Sequence, residues 1–180
     1  MRGVPCRSWR VRTALLVSVL APLCTSGLAG GHQRSDDWPR VTIGDSIAAE
    51  AVYHSLNGAS KWLADARCRQ VFGEFHDQRG RPLERALEDL GISGDRYLAF
   101  VVFRDGGDSD YCTRFSLLAF TSQSSRVVTV CGRQFAKEWR QRPHVAYATI
   151  IHEALHTLGL GENPPSSAAI TQRVLAKCDR

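Results

Sequence analysis

The spacing of apolar side chains changes period more than once along the chain. An uncharged, apolar run over residues 13–28 follows a stretch carrying Arg2, Arg7, Arg10 and Arg12. Further on, Ile47, Val52 and Leu56 recur at roughly helical intervals, with Asp45 or Ser46 placed to cap the helix and Asn57-Gly58 placed to stop it. Leu63, Ala66, Val71 and Phe75 continue the pattern as a second helix from about residue 60. Pro82 then opens a short third helix through Leu83, Ala86, Leu87 and Leu90, closed by Gly91. Between residues 97 and 131 the pattern becomes that of strands. A nearly continuous aromatic and β-branched run covers 97–103, and further runs cover 111–121 and 126–131, joined through Ser122-Gln123-Ser124-Ser125. Tyr97, Phe100, Phe103, Phe115 and Phe120 fall at strand spacing and are expected in the core. Helical spacing returns after Gly132, first near residues 135–139, then over 144–158, and last over 166–177 with Ser166-Ser167 as its cap.

That order predicts an α+β fold, with N-terminal helices packed on a small, mostly antiparallel sheet, followed by a long helix and a short last one. The chain has 180 residues, which suits one domain preceded by a targeting segment. Residues 1–29 read as a signal peptide: four arginines, an apolar stretch, and the small residues of Gly27-Leu28-Ala29 before a cleavage point. The apolar stretch is short for a membrane span and is interrupted by Pro22. Residues 30–42 read as a mobile N-terminal segment and residues 43–180 as the folded domain. The expectation is a secreted or periplasmic protein with no stable membrane association after cleavage.

Charge and cysteines refine this picture. The formal net charge is +5, but removing the four leader arginines from 23 Lys and Arg leaves 19 against 18 Asp and Glu. No basic footprint for nucleic acid remains, and a monomer is expected. Setting aside Cys6 and Cys24 leaves Cys68, Cys112, Cys131 and Cys178, with no Cys-x-x-Cys pair among them. In an exported chain an even set points to disulfides. Of the three possible pairings, Cys112–Cys131 would join neighbouring strands and Cys68–Cys178 would tie an early helix to the last one.

The candidate chemistry lies in the helix expected over 144–158, which carries His152-Glu153-Ala154-Leu155-His156. Positions i and i+4 share a helix face, so His152 and His156 can point both rings at one metal ion, with Glu153 beside them. Ala148, Ile151, Leu155 and Leu158 form an adjoining apolar stripe that anchors the helix. Glu162 follows the turn Gly159-Leu160-Gly161 and can swing back as a third ligand; His144 sits two turns too early for that role. Asp105, Asp108 and Asp110, with two glycines, are read as a solvated turn in preference to a Ca²⁺ loop.

His-Glu-x-x-His is the signature of the zincin metallopeptidases. The longer string His152-Glu153-x-x-His156-x-x-Gly159-x-x-Glu162 resembles the metzincin consensus with its third histidine replaced by glutamate. It is similar also to the snapalysin type, which carries Asp there. The chain departs from metzincins in lacking a methionine turn, its only methionine being Met1, and in having one expected helix after Glu162. The resemblance implies Zn²⁺ held by His152, His156 and Glu162, with Glu153 as general base in hydrolysis of a peptide or protein substrate laid along a sheet edge. The alternative is a secreted domain that binds zinc without hydrolysis and serves a binding or inhibitory role.

Overall fold

The structure is a computed structural model that describes residues 39–107, 109–114 and 117–179. The expected leader, Asp108 of the aspartate turn and Phe115 lie outside the described residues. The chain enters through strand β1, Arg40–Thr42, and continues into helix α1, Ser46–Ala64. Three helices follow: α2 (Ala66–Arg69), α3 (Val71–Glu74) and α4 (Leu83–Leu90). Helix α5 (Gly94–Tyr97) and a 3-10 turn (Leu98–Phe100) lead into β2, Val102–Asp105. Beyond them come α6 (Asp110–Arg114), β3 (Ala119–Thr121), β4 (Val127–Val130), α7 (Gly132–Gln141), α8 (Pro143–Thr157) and α9 (Ser167–Cys178). The fold is α+β, as the sequence pattern predicts.

The sheet corrects one expectation. Its order is β1-β2-β4-β3, with β1–β2 and β2–β4 parallel, so only the β3–β4 hairpin is antiparallel. Parallel neighbours need a crossover, and α1 through α5 supply it between β1 and β2. Two features account for the difference: β2 pairs with β4 and not with β3, and β1 adds a further parallel neighbour. The three residues of β1 fall in the segment expected to be mobile, yet they pair with Val102, Phe103 and Arg104.

Helix α1 also runs on through Asn57-Gly58, where a stop was expected. Asp45 does cap it, accepting the Ala48 N–H at 2.8 Å. Gly58 has a different use: a Cβ there would lie 2.6 Å from the Tyr147 ring on α8. The glycine lets two helices approach, and the chain instead breaks at Asp65, which ends α1 and caps α2 through the Arg67 N–H. The second expected helix is thus the end of α1 plus α2 and α3; Leu63, Val71 and Phe75 are buried, but Ala66 is exposed. Gly91 closes α4 in the left-handed conformation, as expected.

Two expected strands are shorter than their apolar runs. Residues 97–100 are wound as helix and 3-10 turn, so the alternation of a strand does not govern them. Tyr97 and Phe103 are buried, Phe120 is half-buried and Phe100 is exposed. Residues 110–114 form α6, started by Ser109, whose Oγ accepts the Tyr111 N–H at 3.2 Å. Cys112 therefore sits on a helix and not a strand, but both expected disulfides form: Cys112–Cys131 and Cys68–Cys178.

Helix α8 is the axis of the core. It packs on α1, α7, α9 and β3, and Ala146, Ala148, Ile150, Ile151, Ala154 and Leu155 are buried. A helix apolar on nearly every side belongs at the centre of a domain. Among the described residues no helix is long and apolar enough to cross a membrane.

Candidate metal centre

Pro143 occupies the first turn of α8, where its missing N–H costs no intrahelical bond. Three turns later His152 and His156 project from one face, both buried, with their Nε2 atoms 3.0 Å apart. The helix ends at Leu158. Gly159, at φ 114°, reverses the chain, and the Leu160 N–H reaches back to the Leu155 carbonyl at 3.1 Å. Leu160 is buried and bridges to Asp77, so the turn is fixed at its far side. This reversal brings Glu162 Oε1 to 3.4 Å from His156 Nε2 and 3.8 Å from His152 Nε2.

Those separations suit a small cation. A tetrahedral ion with bonds of about 2.0–2.1 Å holds its ligand atoms about 3.4 Å apart. The His152, His156 and Glu162 group could hold a metal ion. Two imidazole nitrogens and one carboxylate oxygen make the donor set of an open zinc site.

The outer nitrogens of both rings are engaged. His156 Nδ1 lies 2.8 Å from the Leu160 carbonyl oxygen, which can only accept, so Nδ1 carries the proton and Nε2 presents a lone pair. His152 Nδ1 lies 2.9 Å from Thr171 Oγ1 on α9. Burial, then the neighbouring His156, pushes His152 down to about 3, which keeps the ring neutral.

Glu153 faces the same cleft. It is 4 % exposed, and its Oε2 has no hydrogen-bond partner among the described residues. Burial, reinforced by the charge of Glu162, raises its carboxyl to about 8. A buried acid oxygen without a partner is costly, and here it stands beside a triad of metal-competent donors. The cleft, about 470 Å³, is lined also by Tyr111, Phe120 and Gln123. A larger cavity of about 800 Å³, lined by Arg133, Lys137 and Arg140 of α7, shares no residue with it.

Other sequence candidates stand apart. His144 is half-buried in the first turn of α8 and outside the group. Asp105 uses Oδ1 to accept the Gly107 N–H, closing its turn locally. Sequence reading missed the supports of the site. The Ser124 N–H donates to the His156 carbonyl oxygen at 2.9 Å, Gln123 donates its amide to the Gly159 carbonyl oxygen, and Gln78 donates to Gln123 Oε1. The only sequence signal was the turn itself, because these contacts join residues far apart in the chain.

No family model, curated protein or solved structure matches the chain. The likeness to zincins therefore rests on the motif of residues 152–162.

Proposed function

We propose that the chain is an exported, zinc-dependent endopeptidase of minimal zincin type. The observation that carries this reading is the convergence of His152, His156 and Glu162 beside the unpaired buried oxygen of Glu153. His152 and His156 Nε2 and a Glu162 carboxylate oxygen would hold the ion. When bound, zinc lowers the pKa of a water and polarises a peptide carbonyl. Glu153 accepts the proton of the attacking water on its free oxygen and returns it to the leaving amine. In the metal-free chain burial, and then Glu162, raise its carboxyl to about 8 and disfavour the charged form; the charge of a bound cation would oppose that shift and favour the carboxylate a base requires.

Substrate placement follows from the sheet. Strand β3 is at one edge, and Ala119, Phe120 and Thr121 line the cleft. The other edge, β1, does not line it. An extended peptide adding to β3 would pass over the histidines, with main-chain hydrogen bonds giving affinity. Two disulfides support an oxidising compartment, in line with the leader expected over residues 1–29. Nothing in the charge balance favours nucleic acid, and we assign a monomer that acts on peptide or protein.

The deciding experiment pairs metal analysis with turnover. Purified without chelator, the chain should carry one zinc and cleave casein or gelatin. Glu153→Gln should keep the zinc and lose cleavage. If that variant cleaves as fast as the unaltered chain, the assignment fails. Stoichiometric zinc without turnover on a broad peptide library would instead favour a non-hydrolytic binding or inhibitory domain.

A further inference from the structure

We infer that Thr171 is a positioning residue for the metal centre, fixing the ring and tautomer of His152 from a helix that is itself clamped to the far side of the domain. The inference rests on the reading of His152, His156 and Glu162 as metal ligands. Thr171 Oγ1 lies 2.9 Å from His152 Nδ1. A hydroxyl can donate or accept, so two arrangements are open to it. If it donates to Nδ1, the ring proton sits on Nε2, which can then donate to His156 Nε2 3.0 Å away, and neither His152 nitrogen is free to ligate. If it accepts from Nδ1–H, the Nε2 lone pair faces Glu162 and His156. Only the second arrangement is competent for metal, and accepting from Nδ1–H is the role by which Thr171 would hold that tautomer.

The two histidines differ in how they are supported. His156 is held by a carbonyl four residues away, on the same turn. His152 is held by a side chain 19 residues on, carried by α9. That helix is anchored on both sides of Thr171. Ser166 Oγ accepts the Ala169 N–H at its start, and Ile170 and Val174 are fully buried. At its end, Cys178 is bonded to Cys68, and Arg67 Nη2 donates to the Ala176 carbonyl oxygen at 2.8 Å. Between these, Glu74 receives Arg173 at 3.0 Å and pairs with Lys177. Helix α9 thus has little freedom to rotate, and the Thr171 hydroxyl is delivered to one place beside His152. An orienting group held this firmly reduces the ordering that metal binding must impose.

The test uses Zn²⁺ alone, titrated against a chromophoric chelator into the full-length oxidised chain. Thr171→Val keeps the shape and removes the hydroxyl; it should weaken zinc binding roughly 10- to 100-fold. Thr171→Ser restores the hydroxyl and should bind within about three-fold of the unaltered chain, well inside the loss expected for an absent orienting group. With Co²⁺ in place of zinc, the visible spectrum should change in Thr171→Val and be retained in Thr171→Ser, a signature that the modest destabilisation from losing one hydrogen bond to a buried ring would not itself produce. If Thr171→Val does not fold, Thr171→Ala is measured against the same expectations. Zinc bound equally by the unaltered chain and the hydroxyl-free variant overturns the role of Thr171 and leaves the metal reading standing. No zinc bound by the unaltered chain overturns both.

Discussion

The Ser124 N–H donates to the His156 carbonyl oxygen at 2.9 Å, so the turn of the β3–β4 hairpin caps the helix that carries both histidines. Helix C-termini leave carbonyls short of partners, and here the hairpin adds a donor to one that the Gly159 N–H also reaches at 3.0 Å. The consequence is geometric: the sheet edge and the metal-competent face are held in one fixed relation. A peptide lying along β3 and an ion held by α8 would share a frame.

Glu162 is the most solvent-open of the three candidate ligands, with its side chain 42 % exposed. Its replacement should therefore spare the fold. Glu162→Ala should retain the thermal midpoint of the metal-free chain yet lose more zinc affinity than the roughly 10- to 100-fold expected when an orienting group is removed. Isothermal titration with Zn²⁺ checks this; unchanged affinity would leave Glu162 as a solvated loop carboxylate.

Gly58 and Tyr147 form a close helix contact that tolerates no added carbon. Gly58→Ala should destabilise the chain by about 1–3 kcal/mol through overpacking, despite alanine's better helix propensity. Adding Tyr147→Leu to the same chain should recover part of the loss, since the two positions touch. Urea denaturation of both variants measures it.

Acid should act through Glu74. The hydrogen bond from Lys177, and after it that from Arg173, hold its carboxyl below the ordinary 4.5 against the opposing push of partial burial. A carboxyl lowered by folding contributes stability above its unfolded value and loses it as pH falls through the folded one. Glu74→Gln should cost about 1 kcal/mol at neutral pH and flatten the loss of stability below about pH 4.5. Denaturation midpoints across that range test the sign.

The two disulfides close rings of very different size, spanning 110 and 19 residues of sequence separation. Opening the larger by Cys68→Ser with Cys178→Ser should cost nearer 5 kcal/mol, against about 3 kcal/mol for Cys112→Ser with Cys131→Ser. Guanidinium denaturation of the two paired variants should rank them in that order.

The parts of the molecule legible in sequence are those set by local geometry. His152 and His156 face together because a helix places i and i+4 on one side, and Glu162 returns because Gly159 can turn the chain. The Gly91 stop and the Ser166 cap are likewise decided within a few residues. What escaped depends on partners elsewhere. Three residues of β1 carry no pattern of their own and are strand only because β2 lies beside them. Gly58 looked like a terminator because its real partner, Tyr147, is on another helix. The stretch containing Cys112 alternates well enough for a strand, but Ser109 starts a helix there. Thr171 lay in a helix that gave no sign of facing the histidines.

Helix α9 also sets a clock. In a chain made from its N-terminus, α1, the sheet and α8 are complete before Thr171 and Cys178 have been added. All the candidate ligand residues then exist, but the hydroxyl beside His152 and the second half of the long-range disulfide do not. Cys68 must wait through 110 residues of synthesis for its partner. The backing of the candidate centre is thus acquired only after the motif itself, and a nascent chain paused between them would carry the motif without the helix that backs it.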